Sequence, residues 1–78
     1  MIIAGVVIET LPGRADSVAS RLAGVGGLRV QGSDGYDRVA GVWTVTDSGV
    51  LQRLGEELVR SDKEILGVHP TLVSEDKD

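Results

Sequence analysis

The chain has 78 residues, of which 41% are hydrophobic and 26% are charged, and its formal net charge is -4. A chain of this size forms one domain without room for a large internal active-site cavity, and its composition excludes disorder in its main body. The acidic balance argues against a phosphate- or nucleic-acid-binding surface. The lack of cysteine excludes disulfides, zinc fingers and thiol chemistry.

The first predicted element is a β-strand over residues 2–9, IIAGVVIE. β-branched residues fill it, which suits a pleated surface packed on both faces. Side chains alternate along a strand, so one face carries Ile3, Gly5, Val7 and Glu9. The run is too short to span a bilayer and has neither a basic residue before it nor a cleavage site after it. We therefore expect no targeting segment and a cytoplasmic protein.

A helix and a short strand follow a turn at residues 11–13. Apolar residues repeat at helical spacing, and glycines from residue 24 onward end the helix; the apolar positions are Ala15, Val18, Ala19 and Leu22. Residues 28–32, LRVQG, alternate as a half-exposed edge strand does, with Leu28 and Val30 facing the core.

A third strand over residues 38–46 forms an antiparallel hairpin with the second across a turn at residues 33–35. The larger apolar groups identify its core-facing side, which comprises Val39, Gly41, Trp43 and Val45. We expect Trp43 to fill the core, since large aromatic side chains are usually buried; an exposed anchor is the alternative.

Asp47 or Ser48 caps a second helix, which Gly55 makes less regular. Its apolar stripe consists of Val50, Leu51, Leu54 and Leu58. The last strand covers residues 65–73 and lies at an edge, because Pro70 has no N–H for a ladder hydrogen bond. The domain covers residues 1–74, and residues 75–78 form a charged tail.

The order βαββαβ predicts a ferredoxin-like α+β sandwich, in which a four-stranded antiparallel sheet carries both helices on one face. The first and third strands are central. The other face stays uncovered, with small residues at its centre that leave room for a ligand. This open face comprises Ile3, Gly5, Val7, Glu9, Arg29, Gln31, Ala40, Val42, Thr44, His69 and Thr71.

The sequence contains no recognisable catalytic or metal-binding constellation. His69 is the only histidine, and the carboxylates lack the spacing of metal ligands. The glycines at 24, 26 and 27 follow a helix, so they form a C-cap and not a phosphate loop. We expect no enzymatic activity and no cofactor. Three functions remain open: a peptide-binding module, a dimerising ligand sensor and a docking part of an assembly.

Several stretches resemble the NapD family. Residues 2–22 are similar to its opening strand, turn and amphipathic helix, and residues 25–30, VGGLRV, to the start of its second strand. Asp47 with Leu51, and residues 65–68, ILGV, also match. The chain departs from the family at Gly26, where proline is usual, and at residues 72–74, where the family has Tyr-His.

This resemblance implies a chaperone that binds the twin-arginine (Tat) signal peptide of the periplasmic nitrate reductase catalytic subunit on its sheet. Export would then wait until the molybdenum cofactor is in place. We assign Ile3 and Val7 to apolar contact and Glu9 to the arginines. Asp34 or Asp37 is a second candidate for the arginines, while Gly5, Ala40 and Val42 allow close approach. We expect a monomer that neither binds nucleic acid nor inserts into a membrane.

A second resemblance, over residues 35–39, Asp47 and the last strand, is to the effector-sensing domain of Lrp/AsnC-type regulators. It implies a dimer formed through the open face, with amino acids bound between subunits. The first half of the chain fits this family less well. A small heme- or monooxygenase-type enzyme of the same fold is a third alternative, but it lacks a polar pocket.

Overall fold

A computed structural model describes residues 1–75 of the protein, and the side chains of residues 1–74. The elements follow the predicted order: β1 (Ile2–Thr10), α1 (Ala15–Leu22), β2 (Leu28–Ser33), β3 (Arg38–Val45), α2 (Ser48–Ser61) and β4 (Ile65–Glu75). Glu75 was predicted to belong to the charged tail, but it is the last residue of β4. The rest of the predicted tail, residues 76–78, lies outside the described residues.

The sheet is antiparallel with the strand order β2-β3-β1-β4. β1 and β3 are therefore central and β2 and β4 are edges, which confirms the ferredoxin-like α+β arrangement. The register of β1 with β3 runs unbroken from Ile2 opposite Val45 to Glu9 opposite Arg38. The other pairings contain irregularities, between Val30 and Gly32 in β2 and at two places along β4.

Both helices cover the same face of the sheet. α1 packs against β2 and β3, and α2 against β4 and β3. The core-facing residues alternate along the strands as predicted, and the largest fully buried side chain is Trp43. Its role as a core filler is thereby confirmed. Trp43 Nε1 is buried without a hydrogen-bond partner among the described residues, so Trp43 stabilises the core through its apolar area.

Particular residues determine where α2 begins and how the chain passes from α1 to β2. Asp47 caps α2, since its side chain accepts a hydrogen bond of 2.9 Å from Val50 N. After α1, the chain turns back into β2 through Gly27, whose φ is +76°. A Cβ at Gly27 would lie 2.8 Å from Thr44 O, so both the backbone angle and the space require glycine.

Ion pairs connect α1 to the segment between α2 and β4. Arg21 Nε lies 3.0 Å from Asp62 Oδ2, and Arg21 Nη2 lies 2.8 Å from Glu64 Oε1. Arg14 adds a third contact, 3.2 Å from Glu64 Oε2. Burial raises the pKa of Asp62, but hydrogen bonds from Arg21 and Glu64 N outweigh burial, and this pKa lies below its usual value.

Candidate functional site

The candidate site is the open face of the sheet, the side without helices. Ile3, Gly5 and Val7 of β1 alternate with buried core residues, and Ile3 is 42% exposed. The β1–β3 register sets Thr44 opposite Ile3, Val42 opposite Gly5 and Ala40 opposite Val7. Residues that face each other in an antiparallel pair lie on the same side of the sheet. These six predicted residues therefore form the middle of the open face.

The strand β4 contributes an aliphatic side chain that sequence reasoning missed. His69 lies opposite Val7, but Leu72, and not Thr71, lies opposite Gly5. Thr71 is the extra residue of a β-bulge, which reverses the alternation beyond it. Leu72 consequently faces the open side, where it is 71% exposed. Pro70 was the available signal, because proline within a sheet is found at edges and bulges.

The expected space above Gly5 is partly occupied. A Cβ at Gly5 would lie 2.9 Å from Thr71 Oγ1, closer than Cβ atoms approach in real structures. The glycine therefore accommodates the side chain of Thr71 on the neighbouring strand. Space for a ligand lies instead on the other side of β1, toward β2.

A cavity of about 560 Å³ opens on that part of the face. Arg29 lies opposite Val42, whereas Gln31 is left unpaired by the irregularity between Val30 and Gly32. Both side chains line the cavity, together with Ile3, Gly27, Leu28, Val42 and Thr44. The cavity thus combines an aliphatic floor with a guanidinium and an amide at its rim.

Only one carboxylate side chain projects from the strands onto the open face within the described residues. Glu9 lies opposite Arg38 on β3, and Glu9 Oε1 is 3.5 Å from His69 Nε2 on β4. Arg29 adds a second guanidinium. The net charge of -4 does not come from this face, so the acidic composition alone does not explain how it would attract a basic ligand.

The two other predicted acidic residues lie in the β2–β3 loop. Asp34 Oδ1 accepts hydrogen bonds from the backbone N–H groups of Tyr36 at 2.8 Å and of Asp37 and Arg38 at 3.0 Å. The bond from Tyr36 N is the largest cause that holds the pKa of Asp34 below its usual value. One oxygen of Asp34 is therefore used within its own loop.

Backbone hydrogen bonds also tie this loop to the rest of the domain. Thr10 N donates to Asp37 O at 2.8 Å, and Ala15 N donates to Tyr36 O at 3.1 Å. The loop is thereby fixed at the end of β1 that carries Glu9, beside the start of α1. The side chain of Asp37 also contacts Asp34 and contributes to the lowered pKa of Asp34, so the two acids lie together at the end of the sheet that carries Glu9.

Among residues 1–75, no group of three or more His, Cys, Asp or Glu side chains is arranged to hold a metal ion. No helix in this part of the chain is long and apolar enough to cross a membrane.

The comparisons with known proteins return no relative. No family model matches the chain, and no match is found among curated proteins or solved structures. The resemblance to the NapD family therefore remains a prediction from the sequence.

Proposed function

We propose that this protein is a cytoplasmic, non-enzymatic assembly chaperone of the NapD type that binds a twin-arginine signal peptide on its open face. One observation carries the proposal: an aliphatic strip runs across the uncovered side of the sheet. The strip consists of Ile3, Val7, Val42 and Leu72. Contiguous apolar surface of this kind is typical of a site that a partner covers.

The length of the open face along β1 suits the apolar segment of a signal peptide. Six residue steps separate Ile3 from Glu9 along β1, which corresponds to about 20 Å. A helix of about 13 residues has that length. The apolar region of a signal peptide contains about 7 to 15 residues, so as a helix it is close to this length or shorter.

Glu9 is the residue that we assign to the paired arginines. Its 3.5 Å contact with His69 is longer than a good hydrogen bond, so the carboxylate retains capacity for a ligand. A guanidinium can donate two parallel hydrogen bonds to one carboxylate, which a lysine ammonium cannot reproduce. Asp37 lies in the loop at the same end of the sheet and supplies a second negative charge. Peptide binding here would hold back export until the molybdenum cofactor has been inserted.

Calorimetric titration tests this proposal. We expect one twin-arginine signal peptide to bind per protein, and a double-lysine peptide to bind about tenfold more weakly or worse, because the bidentate contact is lost. Val7→Lys should abolish binding by placing a charge in the aliphatic strip. Ser20→Lys, an equal charge change on the exposed side of α1, should leave binding intact. Equal binding of both peptides by all three proteins would refute the proposal.

The cavity beside β2 favours a second candidate, an amino-acid sensor of the Lrp/AsnC type. Arg29 could bind the carboxylate of an amino acid above the floor formed by Ile3 and Val42. In that case the aliphatic strip would be covered by a second copy of the chain. A dimeric mass in solution, together with a melting temperature raised by one free amino acid, would favour the sensor over the chaperone.

A further inference from the structure

A second groove lies on the helix side of the sheet, between α2 and β4. Its strand residues Val68 and Pro70 lie opposite Ile8 and Val6, which face the core. The groove has a volume of about 520 Å³. We call it the α2–β4 groove, and its lining includes Leu51, Gly55, Glu56, Val59, Val68 and Pro70. The sheet separates it from the open face.

Gly55 is the least expected residue of this groove. Glycine in a helix interior is less favourable than alanine, yet the structure does not require it here. A Cβ at Gly55 would lie 3.5 Å from Val68 Cβ, an ordinary van der Waals distance, and its φ is not positive. A side chain at this position would instead occupy the floor of the groove. Where a local preference is broken without a structural reason, the position is a candidate for function.

The edges of the groove indicate what it would bind. Val59 is 39% exposed beside the apolar floor. The only charged side chain that lines the groove is Glu56, which Gln52 Nε2 contacts at 3.4 Å. An aliphatic side chain with a basic neighbour complements both features. A second copy, packed helix against helix about Gly55, would bring its Glu56 carboxylate near the first, and like charges at short range repel each other.

We propose that the α2–β4 groove binds a segment of a partner protein in which a bulky aliphatic residue is adjacent to arginine or lysine. The aliphatic group covers Gly55, Val68 and Pro70, while the basic group pairs with Glu56. This site goes beyond the signal-peptide function and is independent of it, because the two surfaces share no lining residue.

Backbone amide NMR provides the test, with N-acetyl-leucyl-arginine amide as the probe. We expect titration to shift the amide signals of Leu51, Gly55 and Val68, and N-acetyl-leucyl-glutamate amide to bind less well. Glu56→Lys should weaken binding of the arginine probe about threefold or more. The matched control is Glu57→Lys, an equal charge change on the same helix at a residue that does not line the groove; it should leave binding unchanged.

Gly55→Ala separates a binding role from a structural one. We expect its melting temperature to rise by about 4 to 8 °C, since alanine favours the helix, while its affinity for the arginine probe falls. The proposal is overturned if the groove amides do not shift up to the solubility limit of the probe, or if both probes bind equally. The proposal would also be overturned if the protein were a dimer in solution and Glu56→Lys changed that mass, because a second copy would then occupy the groove.

Discussion

The two neighbours of β1 differ in how regularly they pair with it. β3 follows β1 through eight consecutive residue pairs without a shift, whereas β4 has shifts beside Gly5 and beside Thr10. On β3, the alternation of side chains along the strand assigns every residue to the correct face of the sheet, including the buried Trp43. On β4 the same alternation assigns His69 to the correct face of the sheet but Leu72 to the wrong face. An alternation pattern is therefore reliable only as far as the register is continuous.

The two strands also differ in what they contribute to the domain. The core-facing residues Val39 and Trp43 of β3 are fully buried, whereas β4 beyond Pro70 is exposed on both sides. We infer that β3 mainly stabilises the fold, while the distal half of β4 mainly supplies surface.

Trp43→Ala should have the largest effect. Removal of a buried tryptophan side chain destabilises a domain by about 3 to 5 kcal/mol, and a domain of this length has roughly 4 to 12 kcal/mol in total. Urea unfolding monitored by circular dichroism measures the loss. Trp43→Phe serves as the control and should lose much less, because Trp43 Nε1 has no described partner whose hydrogen bond would be broken. Equal losses for the two variants would contradict a purely apolar role.

Gly5→Ala tests the contact between β1 and Thr71 of β4 and should have an intermediate effect. The added Cβ would meet Thr71 Oγ1 at 2.9 Å. Because Thr71 is exposed and its side chain can shift, we expect a cost of about 1 kcal/mol, at the lower end for overpacking. Thr71→Ala removes the clashing atom, so the double variant should recover most of the loss. Urea unfolding of all four proteins gives the coupling free energy. Additive effects would mean that Thr71 does not contact Gly5.

Much of this molecule could be predicted from its sequence. Hydrophobic periodicity identified all six elements, and Pro70 identified β4 as an edge. The phase of β4 beyond Pro70 depends on a bulge that no alternation pattern encodes, so Leu72 was missed. The distribution of charge could not be predicted, because net charge is a property of the whole chain. The position of Glu9 opposite Arg38 and beside His69 depends on the tertiary register of the strands.

Asp34→Asn should destabilise the domain by weakening the β2–β3 loop, and the size of this loss of stability should depend on pH. Hydrogen bonds, above all from Tyr36 N, hold the pKa of Asp34 below its value in the unfolded chain. The folded state therefore gains stability when the pH exceeds the unfolded pKa of about 4. That gain is lost as the pH falls through the lower folded pKa.

Urea unfolding of wild type and Asp34→Asn at neutral and strongly acidic pH measures this effect. We expect wild type to be the more stable at neutral pH, and the difference to shrink on acidification. Asp16→Asn is a suitable control, since Asp16 accepts a single bond from Ser33 Oγ at the end of β2, next to this loop. A difference that stayed constant across the pH range would assign the effect of Asp34→Asn to something other than its charge.

The smallest effect on stability is expected from Leu72→Lys, which separates the two sides of β4. Leu72 is 71% exposed and Val73 is 51% exposed, and exposed substitutions usually change stability by less than about 0.5 kcal/mol. The bulge places Leu72 on the open face and Val73, opposite Ala4, on the helix side. In calorimetric titration with the twin-arginine peptide, Leu72→Lys should therefore weaken binding and Val73→Lys should not. The reverse result would mean that β4 continues past Pro70 without a bulge, with Val73 facing the peptide.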